Sequence, residues 1–270
     1  MTPACQTPAT LTLVVPCYNE AFRIQPQRFI AFVDANPRVR LLMVNDGSTD
    51  ETLVRLRAMA ALRPGRISVH DLTRNGGKAE AVRAGLQRAL REGAELTGYW
   101  DADLATPLDL VEDFLRITDR HTDAEVIFGS RRTMLGHRVR RTAGRRVVSR
   151  LCAFLARLAI GLPVADTQCG AKILRSTPAL AAAVSEPFTA AWLFDVELFA
   201  RIARSAGARA AEGRFYELPL SEWTEVPGSK VTGRVILRSG LRMLGLIAEL
   251  RLAPRPASSS AAPLRLRKAA

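Results

Sequence analysis

The chain has 270 residues, 48% of them hydrophobic, which is enough for a real core in one large or two small domains. Its net charge of +13, carried mainly by arginine, favours anionic partners such as nucleotides, nucleic acid or an acidic membrane surface. Four cysteines without a C-x-x-C pair exclude a zinc pattern and a disulfide scaffold and favour a reducing compartment. No apolar run reaches about 18 residues, so no membrane-spanning helix or signal peptide is expected.

Strands and helices are predicted to alternate through the first half of the chain. Ser48 and Glu51 fit a capping box at the start of the second helix. This alternation indicates an α/β fold with a parallel sheet, whose ligands bind beyond the carboxyl ends of the strands. Strands are expected at 11–16, 41–44, 67–70, 97–100 and 125–128, and helices at 29–35, 48–62, 78–90 and from 106 onwards.

The second half is less regular. Helices are expected at 138–160, 192–203 and 234–252, a strand at 215–220, a polar turn at 166–170 and a loop at 226–230.

Two acidic segments follow buried-type strands. Asp46 comes directly after the second strand, and the pair Asp101 and Asp103 comes after the fourth. In an extended segment side chains alternate, so these two carboxylates are predicted to point the same way. Hard oxygen ligands of this kind suit Mg2+ or Mn2+ that also holds a diphosphate, which indicates an enzyme acting on a nucleotide diphosphate.

A glycine turn precedes the third helix. It reads Arg74-Asn75-Gly76-Gly77-Lys78 and matches neither a P-loop nor a Rossmann dinucleotide motif. Glycines let the backbone approach an anion, and both the helix start and Lys78 add positive charge. The turn therefore indicates a second anion-binding element at the same edge of the sheet.

These motifs resemble those of the family 2 glycosyltransferases in type and order, and later segments are similar to the dolichyl-phosphate β-glucosyltransferase branch. The resemblance covers roughly residues 10–245. The first motifs are Val15-Pro16-Cys17-Tyr18-Asn19-Glu20, 44–50, 74–78 and 101–103, and the later ones are Phe128-Gly129-Ser130-Arg131, 166–172, 192–198 and 223–230.

The resemblance implies a GT-A fold, the α/β fold of nucleotide-diphospho-sugar transferases, with a mostly parallel central sheet flanked by helices. It implies transfer of a hexose, with inversion, from UDP-glucose to a polyprenyl phosphate with Mg2+ or Mn2+. By resemblance, Asp101 would contact the donor or the metal, and Asp103 would ligate the metal. The nucleotide would be held by Pro16, Tyr18, Glu20, Asp46 and Lys78.

The acceptor phosphate needs cationic and polar groups. A phosphate oxygen is already ionised near neutral pH, so a strong general base is not required. If a base exists, Asp195 and Asp166 are the two alternatives, and the sequence does not decide between them. The candidates for binding the acceptor phosphate are Arg131, Gln168, Lys172 and Lys230.

Two basic amphipathic segments predict peripheral contact with an acidic membrane, on the inner face of the cell membrane in the cytoplasm. Apolar residues form one stripe through 147–158, and arginines recur every four residues at 234, 238 and 242. The alternative is that these helices pack on the core. The expected organisation is an N-terminal extension at 1–9, a catalytic domain at 10–232 with donor half 10–130 and acceptor half 131–232, a basic helix at 233–252 and a tail at 253–270.

Three other functions compete with this interpretation. The first two keep the family but use GDP-mannose as donor or a non-lipid acceptor. The third is nucleic-acid binding, suggested by the high pI of about 10.8. Aromatics make up only 6% of the chain, and the arginine clusters contain Phe154 alone, whereas nucleic-acid-binding surfaces usually interleave aromatic and basic residues. A nucleic-acid partner is therefore not expected.

Overall fold

The computed structural model describes residues 10–132, 138–139, 153–154, 156–206 and 211–224, together with 242, 245, 247 and 248. A seven-stranded sheet forms its centre, and a separate pair of short strands lies beside it. The strands are β1 Leu11–Cys17, β2 Val39–Asp46, β3 Ile67–Leu72, β4 Leu96–Trp100, β5 Val126–Ser130, β6 Arg138–Val139, β7 Ala171–Arg175, β8 Phe215–Pro219 and β9 Glu222–Trp223.

Helices cover both faces of the sheet. The helices are α1 Pro26–Ala35, α2 Thr52–Leu62, α3 Lys78–Arg91, α4 Val111–Arg120, α5 Pro178–Ser185 and α6 Phe194–Ala206, with a 3-10 turn at Leu108–Leu110.

The strand order across the large sheet is β3-β2-β1-β4-β7-β5-β8. All neighbouring strands are parallel except β7, which runs antiparallel to both β4 and β5. Because β7 runs backwards, its first residue lies at the edge where β4 ends, and Ala171 pairs with Trp100. The carboxyl ends of β1, β2, β4 and β5 and the start of β7 therefore share one edge.

Alternating side chains of the strands build two apolar cores, one on each face. On β1, Leu13 and Val15 enter the first core, whereas Val14 enters the second. The first core is closed by α1, α2 and α4 through residues such as Phe29 and Phe114. The second is closed by α3, α5 and α6 through residues such as Leu86, Leu180 and Phe199. The predicted α/β architecture with a mostly parallel sheet flanked by helices is confirmed.

Three local predictions are wrong. β7 was not predicted at all, and Arg138–Val139 is a short strand where a helix was expected. The capping box does not form, because α2 begins only at Thr52 and Glu51 makes no side-chain cap bond. Ser48 instead accepts a hydrogen bond from the Asn19 amide at 3.1 Å, so this segment holds the loop after β1 rather than the helix.

Several predicted features lie outside the described residues. These are the first nine residues, Lys230 with the loop around it, most of the 147–158 stripe and the tail from 253. Within 233–252, residues 242, 245, 247 and 248 are helical. Ile247 packs against the second core, and the Arg242 guanidinium donates to the Thr189 carbonyl at 2.8 Å. Within the described part of the chain, every helix is too short or too polar to cross a bilayer.

Candidate active site

Asp46 joins the end of β2 to the glycine turn before α3. Its Oδ1 accepts from the Gly76 amide at 2.8 Å, and its Oδ2 accepts from the Gly77 amide at 2.9 Å and from Asn75 Nδ2 at 3.0 Å. Burial raises the pKa of this carboxyl, and the two glycine amides act in the opposite direction. The carboxylate thus shapes the turn, and contact between Asp46 and a nucleoside stays a prediction.

The loop after β1 is held from both sides. The Glu20 amide donates to Thr52 Oγ1 at 2.8 Å, and the Ala21 amide donates to Asp50 Oδ2 at 3.2 Å. The Glu20 carboxylate is buried and pairs with Arg23. Pro16 lies in β1 opposite Val44, and the partly buried Tyr18 follows the strand. The structure therefore brings these three predicted nucleotide-site residues, Pro16, Tyr18 and Glu20, to the shared edge beside Asp46.

Asp101 and Asp103 lie in a tight turn, not in the extended segment that the sequence analysis assumed. The Leu104 amide donates to the Asp101 carbonyl at 3.2 Å, and Leu104 adopts a positive φ of 54°. Burial and the nearby Asp101 charge both raise the pKa of Asp103. The geometric premise was wrong, but the turn still brings together two acids at the end of β4.

Gly170 receives the Asp101 side chain. The Asp101 amide donates to the Gly170 carbonyl at 2.9 Å, and a Cβ on Gly170 would collide with the Asp101 carboxylate. The predicted polar turn at 166–170 therefore contacts the acidic pair directly. This contact joins the turn after β4 to the turn before β7.

Lys78 faces the acidic pair from the start of α3. Its Nζ lies 2.5 Å from Asp101 Oδ1 and 5.5 Å from the centre of the Tyr99 ring. Burial lowers the pKa of Lys78, but the charges of Asp101 and Asp195 outweigh this effect and raise it. A cation placed here balances the acids and favours an anionic ligand between β1 and β4.

A divalent metal fits this edge through two carboxylates. Asp101 and Asp103 offer hard oxygen ligands of the kind that Mg2+ and Mn2+ prefer. Burial and the Asp101 charge disfavour the ionised form of Asp103, and a bound cation would favour it. Among the described residues there is no group of three or more His, Cys, Asp or Glu side chains that could hold a metal ion.

Arg131 and Asp166 form a buried ion pair at the end of β5. Arg131 donates through Nε to Asp166 Oδ2 at 2.7 Å and through Nη2 to Oδ1 at 2.8 Å, and its guanidinium lies 5.4 Å from the Trp223 ring centre. Asp166 opposes the effect of burial and raises the pKa of Arg131. Beside this pair, Gln168 Nε2 is buried and has no hydrogen-bond partner in the described part of the protein.

Lys172 is fully buried on β7, and this overturns one prediction. Its ammonium donates to the Tyr99 hydroxyl at 2.7 Å and to the Cys169 carbonyl at 2.6 Å, and it lies 2.9 Å from Asp195 Oδ1. Two of the three N–H groups of this ammonium are used in hydrogen bonds, and its charge is paired with Asp195. The structure therefore contradicts a direct contact between Lys172 and an acceptor phosphate.

Tyr99 is a site residue that the sequence analysis missed. Its hydroxyl hydrogen-bonds to Asp195, and its ring packs against Phe194 with centroids 5.7 Å apart. Burial, together with the nearby Asp195 charge, raises the pKa of this phenol well above its usual range. An aromatic in a buried strand normally indicates core, and only its place two residues before Asp101 could have suggested another role.

Comparison with known proteins agrees with this arrangement. The profile described as "Glycosyl transferase family 2" matches residues 12–179. The chain belongs to glycosyl transferase family 2. This match covers both acidic motifs, the glycine turn, Arg131 and the turn at 166–170.

Relatives of this family member are 27–32% identical to it over the aligned residues. It is 32% identical over 233 residues to a dolichyl-phosphate beta-glucosyltransferase of Trichomonas vaginalis, an alignment that covers 82% of this chain and 65% of that protein. It is 27% identical over 225 residues to an undecaprenyl-phosphate mannosyltransferase of Micrococcus luteus, covering 83% and 88%. A dodecaprenyl-phosphate galacturonate synthase of Rhizobium johnstonii is 30% identical over 62% of this chain and 48% of that protein. The chain thus spans less than two thirds of the Trichomonas and Rhizobium proteins.

Solved structures share the fold. Glucosyl-3-phosphoglycerate synthase from Mycobacterium tuberculosis, in complex with Mn2+ and UDP-glucose, superposes with a TM-score of 0.63 at 18% identity, over 91% of this chain and 80% of that one. Residues 1–349 of Staphylococcus aureus TarS give a TM-score of 0.56 at 16% identity, over 92% and 67%. The predicted GT-A fold is confirmed.

Proposed function

We propose that this family 2 member transfers a hexose, glucose from UDP-glucose in the first instance, to a polyprenyl phosphate with inversion. The observation that carries the proposal is the order of polar groups along one sheet edge. Asp46 is the last residue of β2, Asp101 and Asp103 follow β4, and Arg131 follows β5. A nucleoside, a metal-bound diphosphate and an acceptor phosphate would bind there in that order.

The donor nucleotide would lie against the ends of β1 and β2. Pro16, Tyr18 and Glu20 are the proposed nucleoside contacts, and Asp46 supports them by holding the glycine turn. Lys78 stands at the junction with β4, where its charge would attract the diphosphate.

Asp101 and Asp103 would hold Mg2+ or Mn2+ against the diphosphate. When bound, such an ion neutralises the charge of the departing nucleotide. Lys78 keeps Asp101 paired before the donor arrives. Gly170 leaves room for the Asp101 carboxylate, so the acceptor-side turn fixes its position.

The acceptor phosphate would bind near Arg131 and Gln168. Asp166 holds the Arg131 guanidinium by a two-point contact, which fixes its direction. The buried amide nitrogen of Gln168 is a hydrogen-bond donor without a partner in the described residues. A phosphate oxygen that accepts from it would offset the free-energy cost of removing this group from water. Lys230 remains a further candidate cation. Since the phosphate is already ionised, neither Asp166 nor Asp195 is required as a base.

The names of the relatives support the lipid phosphate more strongly than the hexose. The Trichomonas, Micrococcus and Rhizobium proteins are each named for a dolichyl, undecaprenyl or dodecaprenyl phosphate, but for three different sugars. Mannose is also named for a polyprenol monophosphomannose synthase of Mycolicibacterium smegmatis, 31% identical over 64% of this chain. Transfer of mannose from GDP-mannose is therefore the second candidate function.

A lipid acceptor requires a surface that reaches the membrane. We place the protein at the cytoplasmic face of the cell membrane as a peripheral protein. Phe154 and Leu158 support this placement, because they are helical, four residues apart and exposed at 57% and 36%.

The test is transfer of radiolabelled hexose into an organic-extractable product. Purified protein is given a short polyprenyl phosphate and either UDP-glucose or GDP-mannose, with Mn2+ or Mg2+ and then with EDTA. The proposal expects labelled lipid from one donor only, lost with EDTA. Slow donor hydrolysis without labelled lipid would overturn the acceptor assignment, and labelling from GDP-mannose alone would replace glucose by mannose.

A further inference from the structure

Tyr99, Lys172 and Asp195 form a buried polar cluster between the donor and acceptor sides of the edge. Tyr99 and Lys172 have no exposed surface, and the Asp195 side chain keeps 6% of its exposure. Such a cluster is costly to bury unless every member is paired. The cluster adjoins the acidic pair, because Lys78, which is paired with Asp101, lies 5.5 Å from the centre of the Tyr99 ring. Polar groups buried at this position need a reason.

The donors and acceptors of the cluster can be fully assigned. Lys172 donates to the Tyr99 oxygen and to the Cys169 carbonyl and forms an ion pair with Asp195 Oδ1, so the Tyr99 proton goes to Asp195 Oδ1. Oδ1 therefore accepts the Tyr99 hydrogen bond and also lies in the ion pair with Lys172. Oδ2 accepts no hydrogen bond from a described residue, and the Asp195 side chain keeps 6% exposure, so Oδ2 is the oxygen left to bind a ligand.

The strand order places this open oxygen. Asp195 bonds to Tyr99 on β4 and to Lys172 on β7, so it lies over these two strands. Lys78, paired with Asp101, contacts the same Tyr99 ring. On one side lies the acidic pair after β4, and on the other lies Arg131 after β5. A hexose linked to a diphosphate and attacked by an acceptor phosphate would occupy the space between them.

We infer that Asp195 Oδ2 accepts a hydrogen bond from a hydroxyl of the donor hexose, and that Tyr99 and Lys172 are positioning residues that aim it. This inference rests on the proposed function. The charge of Asp195 is already balanced by Lys172, and an ionised acceptor phosphate offers no proton to remove. Asp195 thus serves to hold the sugar rather than to act as a base.

The test compares the affinities for UDP and UDP-glucose by calorimetry with Mn2+ and no acceptor. The readout is the ratio of the two dissociation constants, so effects on nucleotide binding cancel. Tyr99→Phe and Asp195→Asn should each lower the relative affinity for UDP-glucose about tenfold while UDP stays within about twofold of wild type. Lys172→Met should do the same if it folds, and Tyr99→Phe covers the case in which it does not.

Thr97→Val is the matched control. Thr97 lies on the same strand, is buried and donates its hydroxyl to the Thr12 carbonyl at 3.1 Å, away from the site. It should leave the ratio unchanged. An unchanged ratio in Tyr99→Phe and Asp195→Asn, with UDP still bound, would overturn the inference and leave the proposed function standing. If wild type binds neither UDP nor GDP, the proposed function fails first and the inference fails with it.

A panel of monodeoxy UDP-glucoses identifies the hydroxyl. In wild type one deoxy donor should bind about tenfold more weakly than UDP-glucose, and in Asp195→Asn the same donor should lose less than about twofold. Equal losses in the two proteins for every deoxy donor would contradict a contact between Asp195 and the sugar. If only GDP binds, the same comparisons are made with GDP-mannose and its deoxy analogues.

Discussion

Gly47 sets the distance between the two loops that carry Asp46 and Lys78. It has a φ of +61°, and a Cβ there would lie 2.5 Å from both the Arg74 carbonyl carbon and the Asn75 nitrogen. Any side chain would strain the backbone and push the glycine turn away from Asp46. Glycine is therefore required at position 47 for two reasons: its positive φ, and the close approach of the Arg74–Asn75 backbone.

Gly47→Ala should lower the free energy of unfolding by about 3 kcal/mol, because left-handed strain and overpacking add. Gly65→Ala is the matched control. Gly65 also has a positive φ of 74°, but nothing lies within 4 Å of a Cβ there, so it should lose only about 1 kcal/mol. Urea unfolding measures both, and equal losses would show that the contact with the glycine turn is unimportant.

Some of the residues that lie together at the site could be predicted from the sequence. The acids at the ends of β2 and β4 and the glycine turn could be placed from strand patterns, since parallel strands end at one edge. The position of Lys172 could not be predicted, because its burial depends on β7 lying between β4 and β5. No local pattern in the sequence indicates that pairing. Tyr99 was missed for the same reason, as its partner Asp195 is 96 residues away.

At the scale of elements, arginine side chains donate hydrogen bonds to backbone carbonyls near the ends of helices. Arg66 Nη2 lies 2.7, 2.8 and 3.0 Å from the Val33, Asn36 and Val39 carbonyl oxygens, where α1 leads into β2, and its two hydrogens are shared among them. Val33 is in the last turn of α1 and Asn36 follows the helix, so both carbonyls need donors from outside it. Arginines of this kind stabilise the fold. Composition alone could not distinguish them from arginines that form a binding surface.

Arg66→Met should cost about 2–3 kcal/mol in the free energy of unfolding, because three partly buried carbonyls lose their donor. Arg57→Met is the control, since Arg57 and its partner Asp71 are 65% and 38% exposed and such a surface pair contributes about 0–1 kcal/mol. Chemical denaturation of both variants checks this. A loss for Arg66→Met no larger than for Arg57→Met would contradict its role in joining α1 to β2.

The alternation of strands and helices could be predicted because each element carries its own apolar pattern. The reversed strand β7 could not, since Ala171–Arg175 is five residues long and has a lysine at its second position. Its strand character comes from hydrogen bonding to both β4 and β5 and from burial, which are tertiary effects. The predicted capping box does not form because the Ser48 hydroxyl accepts a hydrogen bond from the Asn19 amide in the loop after β1.

For the whole molecule, the net charge of +13 is expected to bring it to anionic membranes. Binding to vesicles containing acidic phospholipid should be strong at low salt and weaken several-fold at physiological salt, because surface charges are screened. Replacing Arg234 and Arg238 by glutamate should lower vesicle binding without changing nucleotide affinity.

Arg242 contacts the Thr189 carbonyl, so it is left in place in this experiment. Cosedimentation with acidic and with neutral vesicles measures the effect. Equal binding of wild type and the double variant to acidic vesicles would show that Arg234 and Arg238 do not contribute to membrane binding.

The central claim is that a metal-bound nucleotide sugar reacts at the edge marked by Asp103. The most direct measurement is the initial rate of hexose transfer to polyprenyl phosphate by wild type, Asp103→Asn and the control Asp109→Asn, whose side chain is exposed on the 3-10 turn nearby. The account predicts a loss of at least about 100-fold for Asp103→Asn and no change for Asp109→Asn. A wild-type rate for Asp103→Asn would contradict it.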